Sequence, residues 1–257
     1  IELCAVLGLG GLTPSAGLIA EAARCGVPVV AMIRPRAGDL VWSGPEVAMM
    51  EVEIAATRAA GLAGVVLGAN LPDGQLDLPV LRRLVASAAG MDLVLHRSFD
   101  LTPDMAAALE EAVALGFRRI LTSGGELTAE AGASRIAALV AQAKGRITIM
   151  PGSGVNPGNA QMLKGLGITE INASCSAAHP ASGRVVEMGF GPAVHRQTSA
   201  DQVRALRRAV ASRPPRSSVC VPPRLRSPIG HPPSPTRRDD GHDGRGASMT
   251  PEPLLGD

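Results

Sequence analysis

Short runs of apolar and β-branched side chains alternate with longer Ala/Leu-rich stretches of helical period through the first 212 residues, and this alternation restricts the chain to a parallel α/β architecture. The runs 1–7, 28–34, 64–69, 92–98, 118–123, 146–151 and 169–174 read as strands. Helices are predicted at 14–25, 45–60, 78–89, 103–115, 129–144, 157–166 and 199–212. Strands that are apolar on both faces are covered on both faces, and a parallel neighbour is reached only through a crossover helix. Thr13-Pro14 and Thr102-Pro103 put a hydroxyl before a first-turn proline, while Gly61, Gly90, Gly116 and Gly145 follow helix ends.

Each unit takes about 30 residues, the size of one βα unit in an eightfold barrel. Polar residues gather at the C-terminal end of nearly every strand, as they do when all strand ends open on one mouth. An open doubly wound sheet would concentrate them at one switch point. The pattern therefore predicts a (β/α)8 TIM barrel. Seven strands are one short, and the chain opens on Ile1, already inside an apolar run, so the first βα unit is expected to be missing. A sheet with unpaired edges invites pairing with another chain, which makes a homo-oligomer an expected state and aggregation an expected hazard.

From Arg213 onward the periodicity stops and proline and arginine dominate. Such a segment cannot bury enough apolar surface to offset its ordering entropy. The expected organisation is a barrel domain at 1–212 and a disordered Pro/Arg-rich tail at 213–257. Basic and acidic side chains are equal in number within the barrel part, which also holds just four aromatic residues. Neither a basic stripe nor a stacking platform is present, so no nucleic-acid partner is expected. No apolar run is long enough to span a bilayer, and no signal peptide is visible. Cys4, Cys25, Cys175 and Cys220 lack C-x-x-C spacing and fit a reducing, cytoplasmic location.

The stretch "DLVLHRSFD" at 92–100 raises the functional question, because an apolar strand ends there in a histidine, an arginine and a carboxylate. Strand alternation sorts side chains by parity. Glu2 shares a face with Cys4, Met32 with Arg34 and Arg36, and His96 with Ser98 and Asp100. The same sort pairs Thr122 with Gly124, Met150 with Gly152, and Asn172 with Ser174. Glu2, His96 and Asp100 are the candidate acid–base groups. Arg34 and Arg36 can grip an anion in a fork, or equally pair with Glu2 or Asp39 to knit the barrel top. The turns "LTSGG" (121–125) and "MPGSGV" (150–155) expose backbone N–H groups suited to a phosphate or carboxylate, with Ser123, Gly124, Gly152, Gly154 and Ser174 around them. Glycine there also simply permits a tight turn. Cys4, with Met32 and Met150 nearby on interior faces, offers soft ligands of the kind that select Cu(I), though both residue types are ordinary core fillers. Lys144 and Lys164 are the only lysines and lie in helical stretches, which argues against Schiff-base chemistry.

Taken together and in order, "IELC", "LGGLTPS", "IRPRAGD", "HRSFD", "LTSGG" and "IMPGSGV" resemble the copper homeostasis protein CutC family over residues 1–176. The resemblance implies a TIM barrel, a cytoplasmic location, a role in copper homeostasis, and Cu(I) bound by cysteines near the mouth, with no organic cofactor. By position it carries over Glu2 and Cys4, then Arg34, Arg36 and Asp39, then His96, Arg97 and Asp100. Three features depart from the family: its earlier βα unit with a further Glu-x-Cys strand is absent, Asn172 stands where histidine is usual, and the likeness fades after Ser176. Two functional expectations follow. One is a copper homeostasis protein binding Cu(I) through Cys4. The other is a TIM-barrel enzyme acting by acid–base chemistry on a small anionic, phosphate-bearing substrate. Both require that Glu2, Arg34 and His96 be neighbours in space.

Overall fold

The computed structural model describes residues 1–211, and the tail expected at 213–257 lies outside them. Six strands form one parallel sheet in sequence order: β1 (Glu2–Leu3), β2 (Val30–Met32), β3 (Gly64–Leu67), β4 (Asp92–Leu95), β5 (Arg119–Thr122) and β6 (Thr148–Pro151). Between them run α1 (Ala16–Ala22), α2 (Gly44–Ala59), α3 (Leu78–Ser87), α4 (Met105–Ala114) and α5 (Ala133–Ala143), with α6 (Ala160–Lys164) after β6. Among the described residues no helix is long and apolar enough to cross a membrane.

Strand parity divides the apolar side chains into two layers. Ile33, Val65, Leu67, Leu93, Leu95, Ile120 and Ile149 face outward and pack against Met50, Ile54, Leu81, Leu84, Leu109 and Ile136 of the helices. Met32, Val66, Val94, Leu121 and Met150 face inward and cluster with Cys4 and Val30. A separate inner layer requires a curled sheet. Asn172 demonstrates the curl: its N–H bonds the Pro151 carbonyl at the β6 edge (2.8 Å), while its side chain reaches Glu2 on β1, the opposite edge (2.9 Å). The sheet is thus a partial barrel whose two edges approach within one side chain.

The strand expected at 169–174 does not form. Ile171 is the only large apolar residue in "TEINAS", and the segment runs extended beside β6, joined to it by the Asn172 backbone bond. At Cys175 the backbone turns left-handed (φ 44°), which ends the extended run. An antiparallel hairpin follows, β7 (Ser176–Pro180) against β8 (Val194–Thr198), with a short helix α7 (Arg184–Glu187) inside its loop. The last helix, α8 (Ala200–Ala211), falls where expected, and its Val210 carbonyl accepts a bond from Lys164 of α6 (2.8 Å).

Two helix starts also differ from expectation by a residue or two. Ser15, not Thr13, caps α1, and Asp104, not Thr102, caps α4. The threonine hydroxyls have other partners: Thr13 accepts the Arg34 N–H (2.8 Å) and donates to Glu53 (2.9 Å), and Thr102 donates to the Phe99 carbonyl (2.8 Å).

An ion triad pins the closing segment to the sheet. Arg119, at the start of β5, donates to Asp92 of β4 and to Glu170 of the extended segment (2.6 Å to the latter). Removing the guanidinium leaves a half-exposed Glu170 unpaired and Asp92 with only the exposed Arg118, 3.9 Å away, as counter-charge. Arg119→Ala is expected to lose about 1 kcal/mol in urea unfolding; an unchanged midpoint would show that the triad contributes nothing.

Candidate functional site

The register of three adjacent strands builds the centre of the mouth. Val30 lies beside Gly64 and Gly64 beside Asp92, so four residues further on Arg34, Gly68 and His96 stand in one row. The ladder continues to that level through Ile33 N–H to the Val66 carbonyl (2.8 Å) and His96 N–H to the Leu67 carbonyl (3.0 Å). Arg34 shares the parity of Met32 and His96 that of Val94, so both face inward. Gly68, held from behind by a bond from Trp42 Nε1 to its carbonyl (2.9 Å), leaves the middle of the row without a side chain. Ser98 Oγ and the imidazole together fill that space: a Cβ on Gly68 would lie 2.1 Å from Ser98 Oγ, 2.4 Å from His96 Cε1 and 2.6 Å from Nδ1.

His96 is 5% exposed. Its Nδ1 accepts the Ser98 N–H (3.1 Å), which assigns the ring proton to Nε2. That Nε2 is buried and meets no hydrogen-bond partner. Burial first, and the Arg34 charge second, push the imidazole pKa down to about 4, so the ring is neutral at pH 7. Arg34 Nη1 donates to the Leu9 (2.8 Å) and Gly11 (3.0 Å) carbonyls, whereas its Nε is buried without a partner.

The loop gripped by Arg34 also carries the sulfur. Ala5 and Leu12 exchange two backbone bonds (2.9 and 2.8 Å), folding the 3-10 turn at Leu7–Leu9 back over β1. This fold lays Gly11 against Cys4 and Met32. A Cβ on Gly11 would be 3.2 Å from Cys4 Sγ and 3.5 Å from Met32 Cε. Burial, and then the Glu2 charge, push the Cys4 thiol pKa up. Glu2 is itself raised by burial, against the opposing effect of its Asn172 bond. The expected trio therefore separates into two sets meeting at Gly11: Arg34 with His96 on one side, Glu2 with Cys4 and Asn172 on the other.

The first glycine-rich turn does bind an anion, and the anion is the protein's own. Asp100, with its side chain 6% exposed, accepts bonds from Arg97 Nε (2.6 Å), the Ser123 N–H (3.0 Å), the Gly125 N–H (3.1 Å), Ser123 Oγ (3.0 Å) and Thr122 Oγ1. The Gly124 N–H is taken by Thr122 Oγ1 (2.8 Å). Ser123, expected to hold a ligand, instead holds this carboxylate; Gly124, expected beside it, spends its N–H on Thr122; and Asp100, expected to do acid–base work, has its lone pairs taken up.

Arg36 also leaves the anion-binding set. It bonds Glu46, Asp39 (2.8 Å) and the Val41 carbonyl (2.8 Å), and stacks on Trp42 at 4.9 Å. Of the two roles open to it, knitting the top is the one realised. In the second turn the Gly152 N–H bonds the Thr122 carbonyl (2.9 Å), and a Cβ there would meet Leu121 Cδ1 at 2.4 Å. The Gly154 carbonyl receives Asn156 and Asn159 (2.9 Å each). Ser174 is exposed and bonds Ser176 (3.0 Å) at the base of the hairpin, away from any ligand role at the mouth. Gly68 and Asn172 were not among the candidates. Aligning the starts of strands 2, 3 and 4 would have found Gly68, because it lies four residues after Gly64 just as Arg34 follows Val30.

Comparison with known proteins agrees with these motifs. The model of the CutC family matches residues 1–177. This chain belongs to the CutC family. A CutC family protein of Rhizobium meliloti (strain 1021) is 54% identical over 209 residues, 80% of this chain and 85% of that one. A Caulobacter vibrioides (strain NA1000 / CB15N) CutC family protein is 47% identical over 215 residues, covering 80% and 88%. The solved CutC of Streptococcus agalactiae superposes with a TM-score of 0.65 at 35% identity, covering 67% of this chain and 86% of that structure.

Two outcomes follow for this CutC chain. Asp100→Asn turns a fully bonded carboxylate into an amide that must present donors to donors, so urea unfolding should show a loss of about 3 kcal/mol; wild-type stability would mean the turn holds without it. His96 takes up its proton near pH 4 in the native state and near 6.5 when unfolded, so between these values the unfolded chain binds more protons. Its contribution is therefore complete above about pH 6.5 and is lost as pH falls toward 4. Unfolding free energy should drop by about 2 kcal/mol between pH 7 and pH 5, and His96→Asn should flatten that slope; an equal slope in the variant would assign it elsewhere.

Proposed function

We propose that this chain is a cytoplasmic copper homeostasis protein of the CutC type, taking up Cu(I) at Cys4 with Met32 as second soft ligand on a (β/α)8-type frame. The family supports the copper role, since the Streptococcus agalactiae member carries a copper homeostasis name. The observation that carries the ligand assignment is the convergence of the Cys4 sulfur and the Met32 thioether arm on Gly11. Thiolate and thioether ligands favour Cu(I) over harder ions. Among the described residues no three His, Cys, Asp or Glu side chains are grouped to hold a metal, so a two-sulfur site fits better than a nitrogen–oxygen cage.

Electrostatics favour the same exchange. Burial and Glu2 keep Cys4 as a thiol, but replacing its proton by Cu(I) leaves the site neutral and therefore escapes the desolvation penalty of a bare thiolate. Glu2 then faces a neutral Cu(I)–thiolate pair rather than the bare thiolate it disfavours. Cys4, Cys25 and Cys175 are all free, in keeping with a reducing compartment. Acid–base catalysis finds less support, because Asp100 is bonded throughout and Glu2 is tied to Asn172.

Anaerobic titration with Cu(I) in competition with a chromophoric chelator tests the proposal. One equivalent is expected for the wild type and none for Cys4→Ser, with Met32→Leu weakened about tenfold. Unchanged uptake by Cys4→Ser would overturn the assignment.

A further inference from the structure

We infer that the Arg34–Gly68–His96 row is a binding seat for one oxygen of a small anion, a carboxylate or a phosphate, donated to by Arg34 Nε and His96 Nε2. Three observations converge. First, both atoms are buried N–H donors without an acceptor, and they belong to inward-facing side chains of one row with only Gly68 between them. A buried donor left unmade costs about 1–3 kcal/mol, and two in one place call for a shared partner. Second, among the described residues no carboxylate pairs with Arg34, whose Nη1 contacts are neutral carbonyls. A partly buried guanidinium lacking a counter-charge selects an anion over a neutral acceptor. Third, the glycine at the middle position lets the imidazole lean across β3, and any side chain there would evict it. A ring that stays neutral near a cation remains a donor at Nε2 and adds no repulsion of its own.

In the closed arrangement both donors are shut from water while Arg34 clasps the Leu9 and Gly11 carbonyls. The anion seat is distinct from the sulfur pair, although both border Gly11, and it stands or falls separately from the copper assignment.

The test is ring 15N–1H NMR of the full chain labelled at histidine, titrated with sodium phosphate and with sodium acetate at constant ionic strength, sodium chloride serving as control. A saturable shift of His96 Nε2 is expected with at least one of the two oxyanions and none with chloride. Phosphate alone, acetate alone, or both would name the class of ligand. Arg34→Lys, which keeps the charge but loses the Nε donor, should weaken the effect at least tenfold; Arg36→Lys should leave it unchanged, and so should Cys4→Ser, the variant expected to abolish copper uptake. Absence of a saturable shift with both oxyanions in the wild type would overturn the inference, as would an equal shift in Arg34→Lys. An ordered water as the sole partner of the two donors would appear as that first negative result.

Discussion

Parallel pairing of β2, β3 and β4 in a shared register is the constraint on which the site depends. Once Val30, Gly64 and Asp92 are set side by side, Arg34, Gly68 and His96 must follow in a row four residues later. Strand parity turns the outer two toward the interior, and the missing side chain at Gly68 leaves room between them for the His96 ring. A one-residue slip of any strand would send its polar residue into the helix-facing layer among Ile33, Leu67 and Leu95. Register is thus enforced by burial on both faces, and the polar row follows from it.

Polar groups of the mouth divide into those that hold the scaffold and those left with free valence. Asp100, Arg36 and Arg97 belong to the first kind. Each is surrounded by partners from its own neighbourhood in sequence or from the next turn, and each fixes a loop that follows a strand. Arg34 Nε, His96 Nε2 and the Cys4 sulfur belong to the second. Such a division is expected of a binding site, where stability is supplied around the ligand rather than by it. It also explains why two chemistries border one loop: Gly11 presents its Cα to the soft atoms and its carbonyl to Arg34.

Much of this frame was legible in the residues. The six paired strands fall within the predicted runs, and inward parity was assigned correctly for Cys4, Met32, Arg34, His96 and Met150, because a two-residue period needs no tertiary knowledge. Partner choice was not legible. Arg36 is captured by Glu46, ten positions away across a loop whose path the pattern does not define. A nest of N–H groups signals an anion without saying that Asp100 supplies it. The 169–174 run failed as a strand because its alternation was mostly polar and it gains only one ladder bond, while parity gave no warning of its length. Height along the barrel was likewise hidden: Glu2 and His96 share an inward face, yet Glu2 pairs with Val30 and bonds Asn172, so face alone does not make neighbours.

The adjacency of Arg34 and His96 is the claim nearest the centre, and an NMR pH titration of the His96 ring examines it directly. In the wild type the ring should titrate near pH 4, and replacing Arg34 by glutamine should move that value upward by removing the neighbouring charge. A wild-type value near 6.5, or one that ignores the Arg34 substitution, would contradict the row.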